Sequence, residues 1–222
     1  IMLGNGNMVV MGGMGADSIT GGDGEHVITG DGGKALFDMQ GIITRIETTD
    51  TVAATGGNDT ITMGNGNVIM LGGIGDDSVT AGNGNHVLIG DNGIAEWTVA
   101  AGAGIITRIE TTDTTALTGG DDMISLGNGN MVVLAGNGAD SVTAGSGNHV
   151  VIGDNGLAVF ATTGLPVEIA TTVPALGGDD TISLGTGRDV VLGGIGADLV
   201  SIGTGGGAII GDNGQVLMDG AG

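Results

Sequence analysis

The sequence predicts an all-β protein made of parallel β-roll (β-solenoid) blocks of nonapeptide turns joined by β-hairpin segments. Three observations predict it. Glycine supplies 51 of 222 residues, against a usual share of ~7%. The only aromatics are Phe37, Trp97 and Phe160, yet 40% of the chain is hydrophobic. A nine-residue period runs through most of the length. Thin strands stacked in register and joined by turns that glycine alone makes easily account for all three.

The charge narrows the function. With 25 Asp and Glu against 4 Lys and Arg, and a formal net charge of −21, the chain lacks the basic footprint of a nucleic-acid or anionic-membrane binder. No apolar run approaches the ~18 residues a spanning helix needs. Without cysteine there are no disulfides or thiolate metal sites. Glycine follows no three-residue period, which excludes collagen.

The repeat comes first in the chain's organisation. Residues 56–93, 119–156 and 177–214 are three copies of one 38-residue block, and residues 1–33 are a fourth that lacks its start. The stretches between them, 34–55, 94–118 and 157–176, are 22, 25 and 20 residues long, and 215–222 begins a further connector. Blocks are fixed in length and connectors are not. Within a block, GGIGDDSVT and AGNGNHVLI show the unit: glycine at position 4, usually at position 2, and an aliphatic at position 8. That pattern is a six-residue turn and a short strand with one side chain inward; two units make a flattened 18-residue coil.

GGIGDDSVT, GGMGADSIT and GGIGADLVS resemble the RTX (haemolysin-type) nonapeptide, glycine-glycine-x-glycine-x-Asp-x-aliphatic-x. The resemblance covers all four blocks, about two-thirds of the chain, and extends to large repetitive bacterial RTX-type surface proteins. It implies a calcium-binding parallel β-roll in which the position-6 aspartate is the ligand. Because the sequence starts and stops inside a repeat, it reads as a section of a longer polypeptide.

The residues argue for calcium independently. The position-6 pairs Asp59/Asp77, Asp122/Asp140 and Asp180/Asp198 are each one coil apart, with Asp17 in the truncated block. Stacking places them ~4.8 Å from each other, where like charges repel unless a cation intervenes. Oxygen ligands and exposed turn carbonyls suit a hard divalent ion. The Asp of each GDNG motif (Asp31 in the GDGG of the first block, Asp91, Asp154, Asp212) is expected to supply a further carboxylate, pairing with Asp17, Asp77, Asp140 and Asp198. On the other edge position 6 is Val, Met, His or Gly, with Asp189 the exception and a poor ligand candidate. There Asn65 with Asn83, and Asn67 with Asn85, are expected to form amide ladders. His26, His86 and His149 read as turn residues. Phe37, Trp97, Phe160 and Met218 recur just after the GDNG position and read as plugs sealing each roll.

The connectors read as hairpins: two β-prone segments around a turn, with IITRIETTD alternating as a half-exposed strand. Since the block periods of 60, 63 and 58 are not multiples of 18, the coil is expected to break at each connector, giving beads of short roll joined by hairpin arms. No catalytic constellation stands out, so no enzyme is expected. The expectation is an extracellular or cell-surface bacterial structural protein (fibre, stalk or matrix segment) that binds calcium ions, folds after export and associates with copies of itself. A passive RTX spacer or secretion module of an adhesin, toxin or enzyme is the alternative. Ice binding through the Asn and Thr ladders (Asn65, Asn67, Thr186, Thr204) is a minor one, limited by flats only two coils deep.

Overall fold

A computed structural model describes residues 1–100 and 102–219; Ala101 and the last three residues of the QVLMDGAG connector lie outside the described residues. The described residues contain strands and turns in three layers. The middle sheet has eight parallel strands, from Met8–Met11 and His26–Thr29 to Gly187–Gly194 and Gly205–Asp212. An outer sheet has seven parallel strands, from Ser18–Thr20 to Leu199–Ile202. The third sheet is antiparallel and holds the connector hairpins, Gly33–Phe37 with Ile43–Thr48, Gly93–Ala100 with Ala103–Thr111, and Gly156–Phe160 with Pro166–Thr171, plus Gln215–Leu217.

Sequence patterning decides which sheet lies where. Outer-sheet strands such as SVTA and TISL bury every second residue and turn Ser and Thr to water. Middle-sheet strands such as VIML and HVLI are apolar on both faces, because cores lie on both sides. One core joins Ile61, Val79 and Ile124 of the outer sheet to Met70, Leu88 and Val133 of the middle sheet. The second joins Leu71, Ile89 and Leu134 of the middle sheet to Ile46, Ala95 and Ile109 of the hairpins.

The expected beads are not formed: the coil continues in register across every connector. Ser18–Thr20 pairs with Thr60–Met63 across the first connector, and Ser78–Ala81 with Met123–Leu126 across the second. The periods misled because each connector is an insertion within a turn. Residues 30 and 31 occupy turn positions 1 and 2, bonding to the coil above through Gly30 N to Leu71 O and Asp31 N to Gly72 O. The hairpin follows, and the turn resumes at residue 56. Equivalent aspartates are therefore 18 residues apart within a block and 42, 45 or 40 apart across a connector, that is, 18 plus an insertion of 24, 27 or 22. Subtracting the insertions restores the coil.

The aromatic plugs are also corrected. There is no roll end to seal, and the residues lie on the hairpin sheet over the second core. Phe37 is 48% exposed, Phe160 is buried, and Trp97 and Met218 are half-buried.

Each hairpin returns through a clasp that the third copy lacks. Asp113 accepts hydrogen bonds from the backbone N (3.0 Å) and Nδ2 (3.1 Å) of Asn92, and Asp50 accepts Gly32 N at 2.7 Å. Val173 stands at this place in the third connector. It has a φ of +45°, which β-branched residues rarely adopt, and both side-chain polar atoms of the fully buried Asn155 lack a partner. Val173→Asp should relieve both faults and raise stability by about 1–3 kcal/mol, read as a higher unfolding midpoint. An unchanged or lower midpoint would refute the clasp.

Candidate metal centre

Continuity of the coil changes the site. The position-6 aspartates do not form isolated pairs but one file of seven: Asp17, Asp59, Asp77, Asp122, Asp140, Asp180 and Asp198. Each backbone N–H donates to the Oδ1 of the next aspartate, over 2.6–3.0 Å in all six steps. Steps within a block and across a hairpin insertion are equivalent. The five central aspartates are at most 2% exposed; Asp17 and Asp198 are half-buried.

The second oxygen is the distinctive feature. Oδ2 of all seven aspartates is buried and has no hydrogen-bond partner. In six of the seven turns a glycine at position 1 lies against it, and Ala135 takes that place beside Asp140: a methyl built on Gly90 would lie 2.1 Å from both Asp122 Oδ2 and the carbonyl oxygen of Ala135. At Gly72 the corresponding distances are 2.2 Å to Asp77 Oδ2 and 2.1 Å to Gly90 O. Around each such glycine an unpartnered carboxylate oxygen and a carbonyl oxygen of the neighbouring coil converge. Among the described residues no group of three acidic or histidine side chains is arranged to hold a metal ion, so an ion bound here would have to draw on carbonyls as well as carboxylates. Hard oxygens of this kind are the donor set of a cation such as calcium.

The GDNG aspartates do not pair as expected. Beyond the insertion, position 6 of their turn is not Ala95 but Asp122, so Asp91 shares a turn with Asp122 rather than stacking on Asp77. Their carboxylates instead hold backbone of the coil above: Asp31 accepts Ile74 N at 2.6 Å, Asp91 accepts Asn137 N at 2.5 Å, and Asp154 accepts Ile195 N; Asp154 also accepts, at 3.0 Å, Gly178 N of its own turn. One oxygen each of Asp31 and Asp91 is left unpartnered. Asp212 is exposed.

On the opposite edge asparagines at the exposed turn positions 3 and 5, rather than at the buried position 6, bond coil to coil without charge. Asn83 N donates to Asn65 Oδ1 and Asn85 N to Asn67 Oδ1, both at 2.9 Å. The files continue through the next insertion to Asn128 (2.8 Å) and Asn130 (2.9 Å). The three histidines are buried, with Nε2 2.9–3.3 Å from the carbonyl oxygen four residues earlier. Asp189, fully buried, accepts His149 N at 3.1 Å. Exposed aspartates that the sequence reading passed over, Asp76 and Asp121, form a further file through Asp121 N and Ala139 N; their 18-plus-insertion spacing was the available signal.

Burial in company makes the central file costly to ionise. Desolvation, reinforced by neighbouring carboxylates, pushes Asp59 up to about 6, Asp77 and Asp140 to about 8 and Asp180 to about 9. Desolvation also raises Asp31 and Asp154 to about 7, and Asp91 and Asp122 well above the usual range. The basic residues do not relieve this: Lys34, Arg45 and Arg108 pair with Glu47, Glu96 and Glu110 on the hairpin sheet.

No family model, curated protein or solved structure matches this chain.

Two outcomes follow from the file. A carboxyl whose folded pKa is raised favours the fold only while protonated, so its contribution is complete below the unfolded value of about 3.9 and fades as pH passes the folded value. In chelator, stability should be greatest near pH 4 and decline between pH 4 and 9; a profile that rises with pH would contradict this. Asp77→Asn keeps the acceptor for Asp59 N–H and removes the charge. In chelator at pH 5, where protonation still supports the fold, it should gain about 1–2 kcal/mol, measured by denaturant unfolding, while losing cation-dependent stabilisation. A loss of stability in both conditions would mean that the carboxylate serves the scaffold alone.

Proposed function

We propose that the chain is a calcium-stabilised structural repeat segment of an extracellular fibre, stalk or matrix, non-catalytic, whose folding is driven by cations after export. The observation that supports this best is the file of seven aspartates, each with a buried oxygen that has no protein partner. On the other edge position 6 is Val68, His86, Met131 or His149 and the coils still stack in register, so a coil of this kind does not require a carboxylate there. A cation does. Calcium between consecutive carboxylates supplies positive charge that the protein lacks there, and its binding energy becomes folding energy. Where calcium is scarce, as inside a cell, self-repulsion and glycine entropy keep such a chain unfolded and exportable; where it is plentiful, the file neutralises and the coil closes. Open strand edges then offer copies of the chain a route to association by strand addition.

The test is a calcium titration at pH 7.5 with magnesium as control and chelator reversal, followed by circular dichroism and light scattering. The expected result is β-structure that appears with calcium, not magnesium, and is lost in chelator, with scattering that rises as the chain folds. Folding without assembly would favour a spacer module. A chain fully folded at pH 7.5 in chelator would overturn the calcium reading.

A further inference from the structure

Between the middle sheet and the hairpin sheet lies an apolar trough of about 580 Å³. One wall is a straight column of aliphatic side chains, Val9, Val27, Ile69 and Val87, in parallel register one strand after another. The facing wall carries Phe37 and Trp97. Glycines at 41 and 104 on that wall have no side chain to fill the space.

We propose that this trough is a binding site for flat, elongated aromatic cations lying along the stacking axis. Its length crosses the strands, so a rigid planar molecule meets the same aliphatic ridge at each ~4.8 Å step. Phe37 and Trp97 line the trough, and aromatic rings attract cations and other aromatic planes. The polar rim consists of Asn7, Asn67, Asn85 and Glu25, and no Lys or Arg lines the trough. In a chain of net charge −21 the surrounding field concentrates cations and repels anions. A linear acyl chain would fill the space but use neither the rings nor the field. A second hollow of about 530 Å³ at the other end of the stack has Arg188 at its rim and no tryptophan, and it lacks this combination.

Trp97 is the chain's only tryptophan, so its emission reports on the trough. The experiment titrates thioflavin T, a planar benzothiazolium cation, against the full chain held folded as judged by circular dichroism. The expected result is saturable binding of one dye per chain, with Trp97 emission falling in step with dye fluorescence. Val9→Lys, at a wall position 43% exposed and so tolerant of change, should weaken binding at least tenfold, and Glu25→Gln about threefold. Anilinonaphthalene sulfonate, aromatic but anionic, should leave Trp97 unchanged. Dye that binds the acidic edge without moving Trp97 emission, equal affinity in Val9→Lys, or displacement by a long-chain fatty acid at equal concentration would each overturn the proposal.

Discussion

A turn between stacked coils exposes backbone N–H groups that no strand can accept, and burying them unpaired costs about 1–3 kcal/mol each. This protein meets that constraint with side-chain oxygens of the neighbouring coil: aspartates on one edge, asparagines on the other, and the Asp of GDNG where a hairpin leaves. The strand ladders and apolar cores occupy the space that these turns define. A coil one residue longer or shorter would shift every such oxygen away from its N–H, which explains why the 18-residue step is kept while connectors vary.

Coil-to-coil bonds are made with and without charge, the asparagines at exposed turn positions and the aspartates of the file at a buried one. Aspartate brings a second oxygen, and in a buried file that oxygen turns a scaffold into an electrostatic device. Protons satisfy it at low pH, and the proposed cation would do so at high pH. Three of the four basic residues, Lys34, Arg45 and Arg108, are engaged on the hairpin sheet, which leaves the file dependent on solution conditions. Stability in this molecule is therefore coupled to its surroundings through the groups that set its geometry.

Much of this was legible in the sequence. The nonapeptide, the inward aliphatic, the 18-residue stack and the hairpins are local patterns, and each appears in the three layers. What was misread concerns where the hairpins join the coil. Read linearly, GDNG looks like the opening of a nonapeptide that runs on to Ala95; in space it splits after Asp91, and the turn resumes at Gly119. That one misplacement produced the supposed breaks in the coil, the pairing of Asp91 with Asp77, and the picture of Phe37 and Trp97 as plugs at a roll end. The Asp113 clasp was invisible for a related reason, since its partner, Asn92, lies at the far end of the same insertion.

The hairpin sheet also shows why blocks contain the number of coils they do. Each block adds two strands to the outer sheet and two to the middle sheet, and each hairpin adds two to the third. Three sheets of equal strand spacing stay level only if their increments match. A block of one coil or three would carry its hairpin out of step with the one below and leave a gap or a collision on that face. Growth of such a molecule is thus quantised: the unit that can be duplicated or lost is a whole pair of coils with its hairpin, whatever the length of the hairpin's turn.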